Sequence, residues 1–207
     1  MQRADHRLVV WLKHDDFMLR SADDLRTASG KKLVHVFEDP KYFGFSIGMP
    51  PWMPRDRVYM RSLYEQAAPE AVGTLVYITY ETRRLFDAID PKGETFQPVD
   101  VQDLVRTEAD QTFAERTTTE RGPDLPAHAT GQVFDVKVDK LPHTERECLR
   151  FVLDDLGWGG YLGFKDESDD TIHIGCAPSA RNFFAAVYED AVGQNASLLA
   201  GTPSPQS

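Results

Sequence analysis

Apolar positions in this chain fall into short segments whose period switches between two and about 3.6, which predicts a mixture of strands and helices. Apolar runs at 8–12 and 33–37 predict two short strands, and 43–47 forms a third apolar stretch. The polar segment 21–32 between them fits a loop or a short helix. Prolines at 50, 51 and 54 remove donors and fix φ, so this stretch reads as a connector from an N-terminal arm to the main domain. Beyond it Leu75, Ile78, Thr82, Leu85, Phe86 and Ile89 fall on one helical stripe, ended by Asp90-Pro91-Lys92-Gly93. A strand at 96–104, a short helix at 107–116 and a polar loop at 117–126 follow. In the strand at 132–138, Phe134, Val136 and Val138 point one way and Val133, Asp135 and Lys137 the other. Thr144 and Glu147 have the spacing of a capping box ahead of Cys148, Leu149, Val152, Leu153 and Leu156, with Gly157 as the stop. Runs at 161–165 and 171–176 predict a hairpin whose tip is the acidic segment 166–170. A last helix carries Phe183, Phe184, Val187 and Tyr188, and a disordered tail is expected from 194 to 207.

Strands and helices in this order, without a βαβ rhythm, indicate an α+β fold: an antiparallel sheet with flanking helices and an N-terminal extension. The expected division is an arm over 1–73, one domain over 74–193, and the tail.

Composition narrows the partners. The 207 residues are 41% hydrophobic and 11% aromatic, enough for a substantial core. A net charge of −10, from 33 acidic against 23 basic residues, with no dense Lys/Arg cluster, argues against nucleic acid and against an anionic membrane surface. The apolar runs are far too short to cross a bilayer. The N-terminus does not read as a secretory signal, so the protein either acts inside the cell or is exported by a leader absent from this sequence. Cys148 and Cys176 make no C-x-x-C knuckle and read as two buried thiols, with a disulfide as the alternative.

One constellation carries chemistry. His128 closes a loop, and Asp135 lies seven positions on, on the less apolar face of a strand, with Gly131 between them to let the backbone turn sharply. His173 alternates with Ile172 and Ile174, so it points away from that apolar pair. If the two strands are neighbours, Asp135 and His173 project into one groove. Two imidazoles and a carboxylate make an open zinc site, with a fourth position for water, whose pKa zinc lowers from about 15.7 towards roughly 7. Taken singly, such residues more often play a structural role than a metal-binding one. His6 and His14 read as solvated, His35 lies in a strand, and His143 precedes a helix.

The pattern His128-x-x-Gly131-x-x-x-Asp135, followed by Asp170 three positions before His173, resembles the zinc D-alanyl-D-alanine peptidases of the hedgehog/DD-peptidase fold. Arg106 followed by Gln111 is similar to the family's arginine and glutamine, which precede its first zinc histidine. The resemblance covers roughly 70–190. It implies that His128, Asp135 and His173 hold Zn2+ and that Arg106 and Gln111 bind substrate, Arg106 gripping a carboxylate or steadying an oxyanion. The acid at 170 would be the general base. Two departures stand out: Pro126 replaces a usual serine, and Asp170 is one methylene shorter than the usual glutamate. Glu167 on the hairpin is the other candidate base. The function implied is a metallopeptidase acting on peptidoglycan peptides or D-Ala-D-Ala termini. The alternatives are a catalytically inactive zinc- or peptidoglycan-binding module of the same fold and a metal-free structural protein.

Overall fold

The computed structural model describes residues 19–36, 43–50, 52–110, 127–168 and 170–200. The strand expected at 8–12, His6, His14, Gln111, Pro126 and the loop at 117–126 lie outside them. So does most of the helix expected at 107–116, of which 108–110 are described and helical.

The polar segment after residue 20 is a helix, α1 (Ala22–Ala28), because Ser21 and Asp24 form a reciprocal capping box. Strand β1 (Val34–His35) pairs antiparallel with β3 (Gln66–Ala67) in a small separate sheet. Between them come β2 (Phe45–Ile47), a 3-10 turn at Arg55–Met60, and the single helical turn α2 (Arg61–Tyr64). The long helix α3 (Pro69–Ile89) opens on a proline, where no amide donor is needed, and closes at Asp90 in the left-handed region (φ 49°). The remaining elements are β4 (Val99–Asp103), a 3-10 turn at Ala127–Thr130, β5 (Val133–Lys137), α4 (His143–Trp158), β6 (Leu162–Ser168), β7 (Thr171–Cys176) and α5 (Arg181–Ala200).

The main sheet has the order β2-β4-β5-β7-β6. Its pairings are antiparallel except β2 with β4, which is parallel, so the sheet is mixed rather than antiparallel as expected. The connection permits this: the chain crosses from β2 to β4 through the 21-residue α3, long enough to return the strand in the same direction, as a tight hairpin could not. Residue 73, the expected edge of the arm, lies inside α3, and β2 from the first fifty residues pairs in the main sheet.

One face of the sheet is packed by helices. Val99, Val101, Phe134, Val136, Phe164, Ile172 and Ile174 join Leu75, Ile78, Leu149 and Leu153 in the principal core. Helix α5 crosses α3 so closely that a Cβ on Gly73 would lie 1.8 Å from the Phe184 carbonyl oxygen. A second core of Leu19, Leu25, Leu33, Trp52, Met53, Tyr64 and Val105 ties the N-terminal elements to the segment after β4.

Three local expectations are corrected. Helix α4 begins at His143 behind Pro142 with no side-chain cap, so Thr144 and Glu147 form no capping box. The Thr144 amide donates instead to Glu94, and the helix runs to Trp158. The acidic tip is shorter than expected, because Asp166 and Glu167 continue β6. Helix α5 reaches Ala200, where a disordered tail was expected from 194; residues 201–207 lie outside the described set. Cys148 and Cys176 are both buried and free. Among the described residues no helix is long and apolar enough to cross a membrane.

Candidate metal centre

Strands β5 and β7 place Asp135 directly opposite His173 in an antiparallel ladder. Period two turns Phe134, Val136, Ile172 and Ile174 into the helix-packed core, so Asp135 and His173 share the other face. His173 Nδ1 lies 2.7 Å from Asp135 Oδ1. His128 comes from the 3-10 turn before β5, and its Nε2 lies 3.3 Å from Asp135 Oδ2. The two imidazoles meet edge to face with centroids 4.9 Å apart. Donor atoms of His128, Asp135 and His173 all lie within 4.8 Å of one another, and all three residues are buried.

The 3-10 turn is held by its own bonds. Thr130 Oγ1 donates to the Ala127 carbonyl and accepts from the Gln132 amide, and the Gly131 amide donates to the His128 carbonyl. Gly131 has φ +71°, and an added Cβ would meet Leu33 Cδ2 at 2.6 Å, so both backbone conformation and space require glycine there. His128 Nδ1 lies 2.7 Å from the Leu104 carbonyl oxygen, which can only accept. The ring therefore carries its proton on Nδ1 and turns Nε2 towards Asp135, where it makes no well-aligned hydrogen bond. With its Nδ1 proton fixed by Leu104, the buried Nε2 becomes a metal donor once an incoming cation displaces its second proton, and the three residues fit one.

Two bulges bring further acids to this face. Between Val101↔Val136 and Asp103↔Asp135 the register of β4 slips by one residue. Strict alternation from Val101 would send Asp103 into the apolar core; the bulge sets it opposite Asp135 instead. There Asp103 Oδ2 lies 2.6 Å from Arg106 Nε and accepts a 2.8 Å hydrogen bond from Trp52 Nε1. Arg106 is 1% exposed, and its Nη2 lies 3.5 Å from Asp135 Oδ2. The second bulge lies between Asp166↔Ile172 and Ser168↔Thr171. It places Glu167 Oε1 3.8 Å from His173 Nδ1, with the Glu167 side chain partly open to solvent.

The electrostatics follow from burial and proximity. Burial opposes charge on His128, but the Asp135 carboxylate outweighs it, helped by Asp103 and opposed by Arg106, and pushes the imidazole up to about 9. For Asp135 burial favours the neutral acid, yet the two histidines hold its carboxyl far below the usual range. Without a metal, the centre therefore keeps an anion balanced by a proton on its neighbour, which is the charge a bound cation would replace.

The other expected site residues divide. Asp170 stands at the turn with its carboxylate 3.7 Å from Lys137 Nζ, 43% exposed. Its backbone carbonyl accepts from Val138. Glu167 is the acid brought to the histidines. Arg106 reaches Asp135 and Asp103 from within the protein, and Gln111 lies outside the described residues. Sequence reasoning missed Asp103, Trp52 and the Leu104 carbonyl. For Asp103 a signal existed: a carboxylate stands where the alternation Val99-Val101 calls for an apolar residue. No family model, curated protein or solved structure matches this chain.

Proposed function

We propose that this protein is a zinc-dependent hydrolase acting on peptide bonds of the peptidoglycan or D-Ala-D-Ala type. The observation that carries the reading is the convergence of His128 Nε2, Asp135 and His173 Nδ1 in one buried cluster, with the His128 tautomer set by Leu104. Two nitrogens and one carboxylate suit zinc and leave a position open for water and substrate. When bound, the ion would supply Lewis acidity and activate water near neutral pH. The protein's own part follows from the geometry. The Leu104 carbonyl orients the His128 ring through Nδ1, and the pairing of β5 with β7 sets His173 against Asp135. Glu167, beside His173 and partly open to solvent, is placed to take a proton from the attacking water and return it to the leaving amine. The bond type and substrate rest on the family resemblance alone.

Metal analysis and an activity assay test this directly. Protein purified without chelator should carry close to one zinc per chain, and His128→Ala or His173→Ala should lose most of it. The wild type should release amine from peptidoglycan fragments or D-Ala-D-Ala. No uptake of added zinc, or stoichiometric iron instead, overturns the hydrolase reading. Full zinc without turnover selects the binding module, a reading favoured by the engagement of Asp170 with Lys137.

A further inference from the structure

We infer that Trp52 is a positioning residue for this centre, acting through Asp103 and Arg106 on Asp135; the inference rests on the metal reading above. Four groups form a continuous line across two cores. The Trp52 indole N–H donates to Asp103 Oδ2 at 2.8 Å, the same oxygen lies 2.6 Å from Arg106 Nε, and Arg106 Nη2 lies 3.5 Å from Asp135 Oδ2. Each member is buried: Trp52 is 2% exposed, Asp103 3%, Arg106 1% and Asp135 3%. In so dry a place, charged partners interact strongly and small displacements are felt.

The line has a chemical logic. A carboxylate that binds a metal needs its orientation fixed, and the guanidinium lies on Asp135 Oδ2, the oxygen that also faces His128 Nε2 at 3.3 Å, while Oδ1 faces His173. Left alone, a full positive charge there would compete with a cation. Asp103 offsets it, and the bulge in β4 exists where that offset is needed. Trp52 fixes which way Asp103 faces. Its ring packs edge to face on Tyr64 with centroids 5.4 Å apart, so the indole is set by the N-terminal elements and not by the sheet. Those elements, which look like an appendage in sequence, thereby become part of the metal centre.

The variant Trp52→Phe keeps an aromatic ring against Tyr64 and removes only the N–H donor. Tyr64→Phe is the control: it deletes the hydrogen bond to Asp110 in the same core and keeps the ring that packs on Trp52. In metal-free protein, Trp52→Phe should move the imidazole nitrogen signals of His128 and His173 in long-range 1H–15N NMR spectra, and Tyr64→Phe should leave them in place. On titration with zinc, Trp52→Phe should weaken binding by about tenfold, the low end of the loss usual when an outer partner of a metal ligand is removed. Nitrogen signals unchanged by Trp52→Phe, or moved equally by both variants, overturn the positioning role. If the signals move but the wild type takes up no zinc, the line from Trp52 to Asp135 stands and the hydrolase reading falls. Moved signals with unaltered zinc affinity overturn the role at the metal.

Discussion

Glu167 and Asp170 lie three positions apart on one hairpin and face different neighbours. Asp170 meets Lys137 near solvent, whereas Glu167 lies 3.8 Å from His173. If Glu167 transfers the proton, Glu167→Gln should retain zinc while lowering kcat by roughly the 10²–10⁴-fold typical of general acid–base catalysis. Asp170→Asn should change kcat little, because an exposed pair with lysine contributes little to a distant centre. The reverse pattern in steady-state kinetics would return the role to Asp170. A second residue-scale expectation concerns Glu145, buried at the start of α4. One oxygen accepts from the Gln97 amide at 2.7 Å; the other has no hydrogen-bond partner. Burial, with Glu94 adding to it and the Gln97 amide opposing, pushes this carboxyl up to about 7. The unfolded chain loses that proton near 4.5 while the native state keeps it until about 7. Its contribution to stability is therefore fully present below 4.5 and is lost as pH rises to 7. Glu145→Gln keeps an acceptor for Gln97 and removes the charge. It should stabilise the protein by on the order of 1–3 kcal/mol at pH 8 and much less at pH 5 in urea denaturation.

Among elements, the α3–α5 crossing is the tightest feature. Any Cβ on Gly73 would meet backbone, the Phe184 carbonyl at 1.8 Å, which a rotamer change cannot relieve. Gly73→Ala must separate the helices, and should cost at least the ~1–3 kcal/mol of an overpacked core despite alanine's better helix propensity. A urea midpoint equal to wild type would contradict that crossing. The amphipathic stripe of α3 was mostly readable from spacing: Leu75, Ile78, Thr82 and Phe86 are buried and Leu85 packs against the core, whereas Ile89 in the last turn is 58% exposed. The strands containing Asp135 and His173 were readable for the same reason. The start of α4 was not, because a proline at the N-cap and a glutamate from a distant loop replaced the local capping box.

Over the whole molecule, the metal reading has a thermodynamic consequence. A ligand that binds only the native state stabilises by about 2.7 kcal/mol at a concentration 100-fold above its Kd. For a chain of this size that raises Tm by roughly 5–11 °C. Zinc added to chelator-treated protein should produce such a shift in differential scanning calorimetry, and His173→Ala should abolish it. Equal melting with and without zinc would mean that the buried His–Asp–His group is structural. The described elements before α3 are tied to the main sheet, because β2 pairs within it and Trp52 reaches Asp103.

Side-chain periodicity and residue chemistry were enough to single out His128, Asp135 and His173 as candidates, which the family resemblance then joined as one ligand set, and to expect that two strands would bring the last two together. That information is local: period two assigns a face, a glycine permits a turn, and imidazole and carboxylate are metal donors wherever they converge. The surroundings of the site were decided by contacts between residues far apart in the chain. Two register slips turned Asp103 and Glu167 onto the site face; the sequence marks the first only as a carboxylate where the Val99-Val101 alternation calls for an apolar residue, and it does not say which partner that carboxylate will meet. The parallel pairing of β2, which the length of the crossover permits, was likewise decided by tertiary packing. Trp52 came to Asp103 because its ring packs in the second core, where its N–H meets the Asp103 carboxylate.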